Sequence, residues 1–96
     1  MKFTQHIIVH ASDEGALRTL LEEDVAPPPA GLLGLRLHGF RDNPGRYMIQ
    51  ADFDSWDSAE KSNERPETQA WAARLLELID GAPKFEDLDV LLELTP

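Results

Sequence analysis

Two periods run through this chain, one of two residues and one of three to four, and each names an element. Phe3 to His10 is rich in β-branched and aromatic residues and predicts a strand. Ser12 and Asp13 can cap a helix by accepting backbone N–H bonds. Ala16, Leu17, Leu20, Leu21 and Val25 then recur at helical spacing, beside Glu22, Glu23 and Asp24. Pro27, Pro28 and Pro29 end that helix, because proline has no N–H and restricts the residue before it. From Gly31 to Phe40, Leu33, Leu35 and Leu37 alternate with Gly34, Arg36 and His38, the period of a second strand. Asp42, Asn43, Pro44 and Gly45 are consecutive turn formers, so Arg46 to Phe53 should return antiparallel as a third strand. Ser55 or Asp54 can cap the next helix, which begins WDSAEKSNE and meets Pro66. Proline suits a helix's first turn, so a break is expected near Asn63 to Arg65, with a restart at Pro66. Trp71, Leu75, Leu78 and Ile79 form the stripe of the restarted piece, and Gly81 and Pro83 stop it. Phe85 to Leu94 closes the chain as a fourth strand.

The order β-α-β-β-α-β is ferredoxin-like: an α+β domain with a four-stranded antiparallel sheet and two helices on one face. Residues 1–96 are read as a single domain. Side chains alternate across a strand, so each strand divides into two sets. Ile7, Val9, Leu35, Leu37, Tyr47, Ile49, Ala51, Phe53, Leu88, Val90 and Leu92 suit the face beneath the helices. Gln5 is the first polar residue on that side, and a buried amide demands partners. The opposite set is mixed. Ile8, Phe40, Met48 and Leu91 stand among Thr4, His6, His10, Arg36, His38, Arg46, Gln50, Asp52, Asp89 and Glu93. Such a mixture suits a face packed on a second copy, with polar groups pairing across a two-fold axis.

Charge narrows the partners. Nine Lys and Arg face eighteen Asp and Glu, for a net charge of −9. Nucleic acid and anionic membrane surfaces both reward the opposite balance. With no cysteine there is no disulfide framework, thiolate metal site or cysteine nucleophile. No apolar run approaches the ~20 residues of a membrane span, and the apolar stretch after Met1 is too short for a signal peptide. The chain reads as cytoplasmic. Histidines raise the question of a metal. His6 and His10 share a face but lie roughly 13 Å apart along a strand, and His38 is roughly 10 Å from either. One ion with bonds of ~2 Å cannot bridge them within a protomer, so no metal site is assigned. Pairing of these imidazoles with Asp52, Asp89 or Glu93 across a dimer is the expectation, with Glu22–Glu23 and Glu86–Asp87 facing water.

The stretches PAGLLGLRLHGFRD, GRYMIQADFDSWDSAEKSNERPETQAWAARL and FEDLDVLLEL, with the order of elements, resemble the dimeric α/β-barrel superfamily. Within it the antibiotic-biosynthesis-monooxygenase-like branch is most similar, through an aromatic ending the third strand and a proline inside the second helix. The resemblance covers essentially the whole chain and implies a homodimer of ferredoxin-like protomers packed sheet to sheet. The superfamily spans quinol monooxygenases, haem-degrading enzymes, isomerases, polyketide cyclases and stress proteins, so the fold leaves the reaction open. Haem-degrading relatives use an Asn on the first strand and a Trp and a His on the second helix. Gln5, Ser62 and Trp71 stand there, without the ligating imidazole, so no cofactor is expected. Cofactor-free relatives that oxidise quinols or anthrones use Asn, Trp, Tyr and Arg lining a pocket under the helices. The matching residue types are Asn63, Trp56 or Trp71, Tyr47, and Arg65 or Arg74; Asn63, Trp71 and Tyr47 are taken as catalytic candidates, and Gln5, Trp56 and Arg65 as substrate-binding candidates. Each also has a structural role open to it: Trp71 as core, Trp56 packed on the third strand, Tyr47 at a sheet edge, Asn63 as a cap for the restarted helix. The function expected is monooxygenation of a small aromatic, quinol or polyketide-like substrate between helices and sheet. An isomerase or cyclase of the same superfamily, or a non-catalytic ligand-binding or stress-associated dimer, is the alternative.

Overall fold

The computed structural model describes residues 1–23 and 28–96, so the expectations for Asp24, Val25 and Pro27 lie outside the described residues. Strand β1 spans Phe3–His10, helix α1 Glu14–Glu23, strand β2 Leu32–Gly39 and strand β3 Arg46–Phe53. Helix α2 spans Trp56–Glu64, α3 Pro66–Leu78, and strand β4 Lys84–Asp89. The sheet order is β2-β3-β1-β4, with every neighbouring pair antiparallel. The longest apolar runs fall in the two central strands, β3 and β1, where both edges are paired.

Local signals set the helix ends. The Asp13 carboxylate accepts from the Ala16 N–H at 3.0 Å, and the Ser55 hydroxyl oxygen accepts from the Ser58 N–H at 3.1 Å. Between α2 and α3 a single residue, Arg65, is extended (φ −70°, ψ 137°), and Pro66 opens the second helix. This is the break expected from the sequence. Arg65 rather than Asn63 occupies the cap position, and its side chain makes no capping bond. The β2–β3 turn closes with the Phe40 N–H on the Arg46 carbonyl at 3.1 Å, and Gly45 takes a positive φ of 90°.

Helices α1 and α3 lie on the sheet face that carries Ile7, Val9 and Ile49, with Leu17, Leu20 and Leu75 sealing the cluster. Phe3, Ala51, Phe53 and Ala59 form a second cluster where α2 crosses β3. Gly31 joins the two layers: its carbonyl accepts from the Asp54 N–H at 2.9 Å, and Ser58 stands against its α-carbon.

Three expectations change. A bulge between Leu32 and Gly34 shifts β2 by one residue. Leu32, not Leu33, therefore packs on the second cluster, and Leu33 is 55% exposed. In β4 the phase is reversed. Phe85, Asp87 and Asp89 oppose Ile7, Gln5 and Phe3, whereas Leu88 opposes Thr4. Directly opposed residues share a face, so Leu88 lies on the open face and Asp89 on the helix side. The strand also stops at Asp89, and Leu91, Leu92 and Leu94 are exposed beyond it.

Candidate functional site

Ala51 makes room beneath the helices. It sits on β3 between Leu35 of β2 and Gln5 of β1, with Ile49 and Phe53 before and after it on the same face. A methyl group among larger neighbours leaves a hollow in the sheet. Above it the cover is interrupted, because Arg65 leaves the helical path between α2 and α3. A cavity of about 100 Å³ results. Ile7, Leu35, Ile49, Ala51 and Phe53 make its floor, Trp71 a wall, and Leu32 and Pro29 one flank. Its polar groups come almost entirely from the helix junction: Ser62, Asn63, Arg65, Glu67 and Thr68, with Gln5 from the sheet.

These side chains are held by local contacts. The buried Ser62 hydroxyl lies 3.5 Å from the Thr68 hydroxyl, linking the last turn of α2 to the first of α3. The Gln5 amide nitrogen donates to Asp87 Oδ1 at 3.2 Å. That contact exists because Asp87 shares the helix-side face with Gln5, while the residue stays exposed to water as expected. One amide hydrogen is used; the carbonyl oxygen and the second hydrogen are what Gln5 can offer a ligand. Arg65 Nε lies 3.6 Å from Glu67 Oε2, and the arginine side chain is 26% exposed against 63% for the glutamate.

The structure thus brings Gln5, Asn63, Arg65 and Trp71 around one cavity. It places Tyr47 and Trp56 elsewhere. Tyr47 opposes Val9, toward the other end of β3 from Phe53, and packs on the cluster of Ile7, Val9 and Leu17. Trp56, 43% exposed, meets Phe3 of β1 edge-on at 4.9 Å between ring centres. Ala51, Glu67 and Thr68 were not singled out from the sequence. Thr68 could have been, since it lies three residues before Trp71 and so shares its helix face.

The opposite sheet face carries a wider hollow of about 330 Å³ between Thr4, Gln50, Asp52 and the terminal residues Val90 and Glu93. There the Gln50 carbonyl oxygen accepts from His38 Nε2 at 3.0 Å, and the Gln50 amide donates to Asp52 at 3.1 Å. His38 is therefore linked to Asp52 within one chain. Asp89, on the other face, is not available to the histidines as expected. Among the described residues no group of three or more His, Asp or Glu is placed to hold a metal ion. No described helix is long and apolar enough to cross a membrane.

No family model matches the chain, and no curated protein is significantly similar to it. Solved structures are. SnoaB, a cofactor-independent oxygenase from Streptomyces nogalater, superposes with a TM-score of 0.82 at 15% identity, covering 99% of this chain and 98% of that one. The chain has the antibiotic-biosynthesis-monooxygenase-like fold. Rv0793 from Mycobacterium tuberculosis gives a TM-score of 0.80 at 18% identity, over 99% of this chain and 100% of that chain. A candidate antibiotic biosynthesis monooxygenase from Deinococcus radiodurans gives 0.78 at 19% identity, over 98% and 97%. This α+β, ferredoxin-like fold is the one the order of elements implied, with the second helix divided in two.

Proposed function

We propose that the chain is a cofactor-independent monooxygenase of a small aromatic or quinol-type substrate, bound in the cavity beneath the α2–α3 break. The observation that carries the reading is the cavity: an apolar floor with six polar side chains gathered at its rim, the usual make-up of a small-ligand site. The likeness of fold to a cofactor-independent oxygenase supports it. In the chemistry proposed, a substrate with an activated CH₂, which a quinol presents in its keto tautomer, loses a proton to the Glu67 carboxylate. The developing enolate oxygen is stabilised by hydrogen bonds from Asn63 and Arg65. The carbanion transfers electrons to O₂, a C–O bond forms, and the peroxide expels water to leave C=O. One O₂ is consumed and one H₂O released, so the substrate supplies both hydrogens. Trp71 forms the wall against which the ring lies. Oxygen uptake with anthrones and hydroquinones tests this. Asn63→Ala and Trp71→Phe should each lower kcat/KM about tenfold or more. Ligand binding with no oxygen uptake would replace the reading with a non-catalytic binding protein.

We also infer a homodimer through the open sheet face. Its residues fall in rows across the strands: His38, Met48, Ile8, Lys84; then Arg36, Gln50, His6, Glu86; then Gly34, Asp52, Thr4, Leu88. A two-fold axis parallel to the strands lays β2 of one copy over β4 of the other. Arg36 then meets Glu86, Met48 meets Ile8, and Leu88 meets the bare position at Gly34, where even a Cβ would touch nothing. Asp52 then lies over Thr4. Light scattering at micromolar concentration should give a dimer. Arg36→Glu and Glu86→Arg should each weaken it, and the double exchange should restore it. A wild-type monomer, or no rescue, rejects this register.

A further inference from the structure

The cavity has polar groups above and below: the helix junction roofs it, and Gln5 reaches it from the sheet. We propose that Gln5, held in one orientation by Asp87, makes the cavity select a ring bearing a neutral hydroxyl donor, the phenol and hydroquinone class, over a ring bearing only acceptor oxygens, such as an aldehyde or a quinone. The inference rests on the cavity being the ligand site, as above. It adds the hydrogen-bonding character of the ligand and a positioning residue, Asp87, that does not itself line the cavity.

Gln5 stands on β1 directly between Ala51 of β3 and Asp87 of β4. One neighbour is a methyl group that leaves space, and the other is a carboxylate that anchors. The Gln5 amide nitrogen donates to Asp87 Oδ1 at 3.2 Å. An amide has a donating end and an accepting end, whereas a carboxylate only accepts. Turning the amide over would set two acceptor oxygens against each other with no proton between them. Asp87 therefore fixes the nitrogen toward β4, and the carbonyl oxygen is the end left for a ligand. The charge on the carboxylate polarises the amide and makes that oxygen a stronger acceptor. The second N–H sits on the nitrogen beside Asp87, so a ligand acceptor that reaches for it meets a negative charge. The junction does not impose the same choice. The Asn63 amide and the Ser62 and Thr68 hydroxyls each donate or accept, and a donating Arg65 stands beside an accepting Glu67. Discrimination between donor and acceptor ligands thus falls to Gln5, and its sign is set by Asp87.

The test reads binding, not turnover, by titration calorimetry with single-ring probes of equal size. 4-Methylphenol should bind about tenfold more tightly than benzaldehyde. Gln5→Met keeps the length of the side chain and removes the amide, so the preference should fall to about twofold or less, with p-xylene binding unchanged. Asp87→Asn replaces an acceptor-only group with one that accepts or donates, and frees the Gln5 amide to turn over. The preference should again fall to about twofold or less, this time because benzaldehyde binds more tightly. Asp87→Glu restores an acceptor-only partner and should restore the preference. A merely structural role for Asp87 would move all three probes together and leave their ratios as in the wild type, which overturns the proposal. Equal binding of 4-methylphenol and benzaldehyde by the wild type overturns it too, as does failure of every probe to bind. Donor preference without oxygen uptake would sink the monooxygenase reading alone. Oxygen uptake with hydroquinones and no donor preference would sink this one alone.

Discussion

The two faces of the sheet are built from the same strands, residue by residue in alternation, yet they have opposite environments. On one, Ile7, Val9 and Ile49 are at most 5% exposed under α1 and α3. On the other, their immediate neighbours Ile8 and Met48 are only partly covered and stand beside His6, Gln50 and Asp52. Alternation assigns a residue to a face, but the free energy of burial depends on what arrives to cover that face. The helix face is completed within the chain. The open face retains an exposed Leu88 beside the partly covered Ile8 and Met48, and a second copy is proposed to complete it.

The sharpest way to break this comparison is to shorten one aliphatic side chain on each face. Ile49→Ala should cost ~2–5 kcal/mol in urea unfolding, because it opens a cavity in a sealed cluster. Ile8→Ala should cost less than ~1 kcal/mol at protein concentrations where the chain is monomeric, with a larger deficit when dimer predominates. Equal losses on both faces at low concentration would mean that the open face is already covered within the chain.

Gly31→Ala addresses how the cover is attached. Gly31 has φ +85°, and a Cβ there would collide with Ser58 and Asp54, where α2 leaves the sheet. A loss of ~1–3 kcal/mol is expected, with cavity ligands bound more weakly. Ser55→Ala tests the same junction more gently. Losing the bond to the Ser58 N–H should cost ~1 kcal/mol of stability. Thr4→Val gives the smallest effect and the most informative sign. Removing a buried, unsatisfied hydroxyl should leave the monomer within ~1 kcal/mol of wild type or make it more stable. Urea unfolding of the variant reads the sign.

Much of the fold was legible along the chain. The bounds of β1 and β3, the Ser55 cap and the break at Arg65 follow from alternation, a short hydroxyl side chain and the chemistry of proline. The phase of β4 was not legible, because Leu88, Val90 and Leu92 alternate with Asp89, Leu91 and Glu93, and apolar residues occupy both sets. Only pairing with β1 decides between them, and it sends Asp87 to Gln5 and Leu88 to Thr4. Leu33 misled for a related reason: one extra residue in β2 reverses every assignment before it. At the site, Gln5, Asn63, Arg65 and Trp71 were chosen by residue type and converge. Tyr47, also chosen by type and correctly assigned to the helix side, lies two residues beyond the cavity floor at Ile49, under the main core.

The residue order alone, then, set which positions alternate, where helices begin, and where proline interrupts them, because each rests on contacts within a few residues. The cavity arose at a different level. It exists because Ala51, one apolar residue among several in the strand pattern, is flanked by Leu35 and Gln5 from neighbouring strands and roofed by a junction some fourteen residues further along. A hollow is a property of what several segments fail to fill together, and no single stretch of sequence carries it.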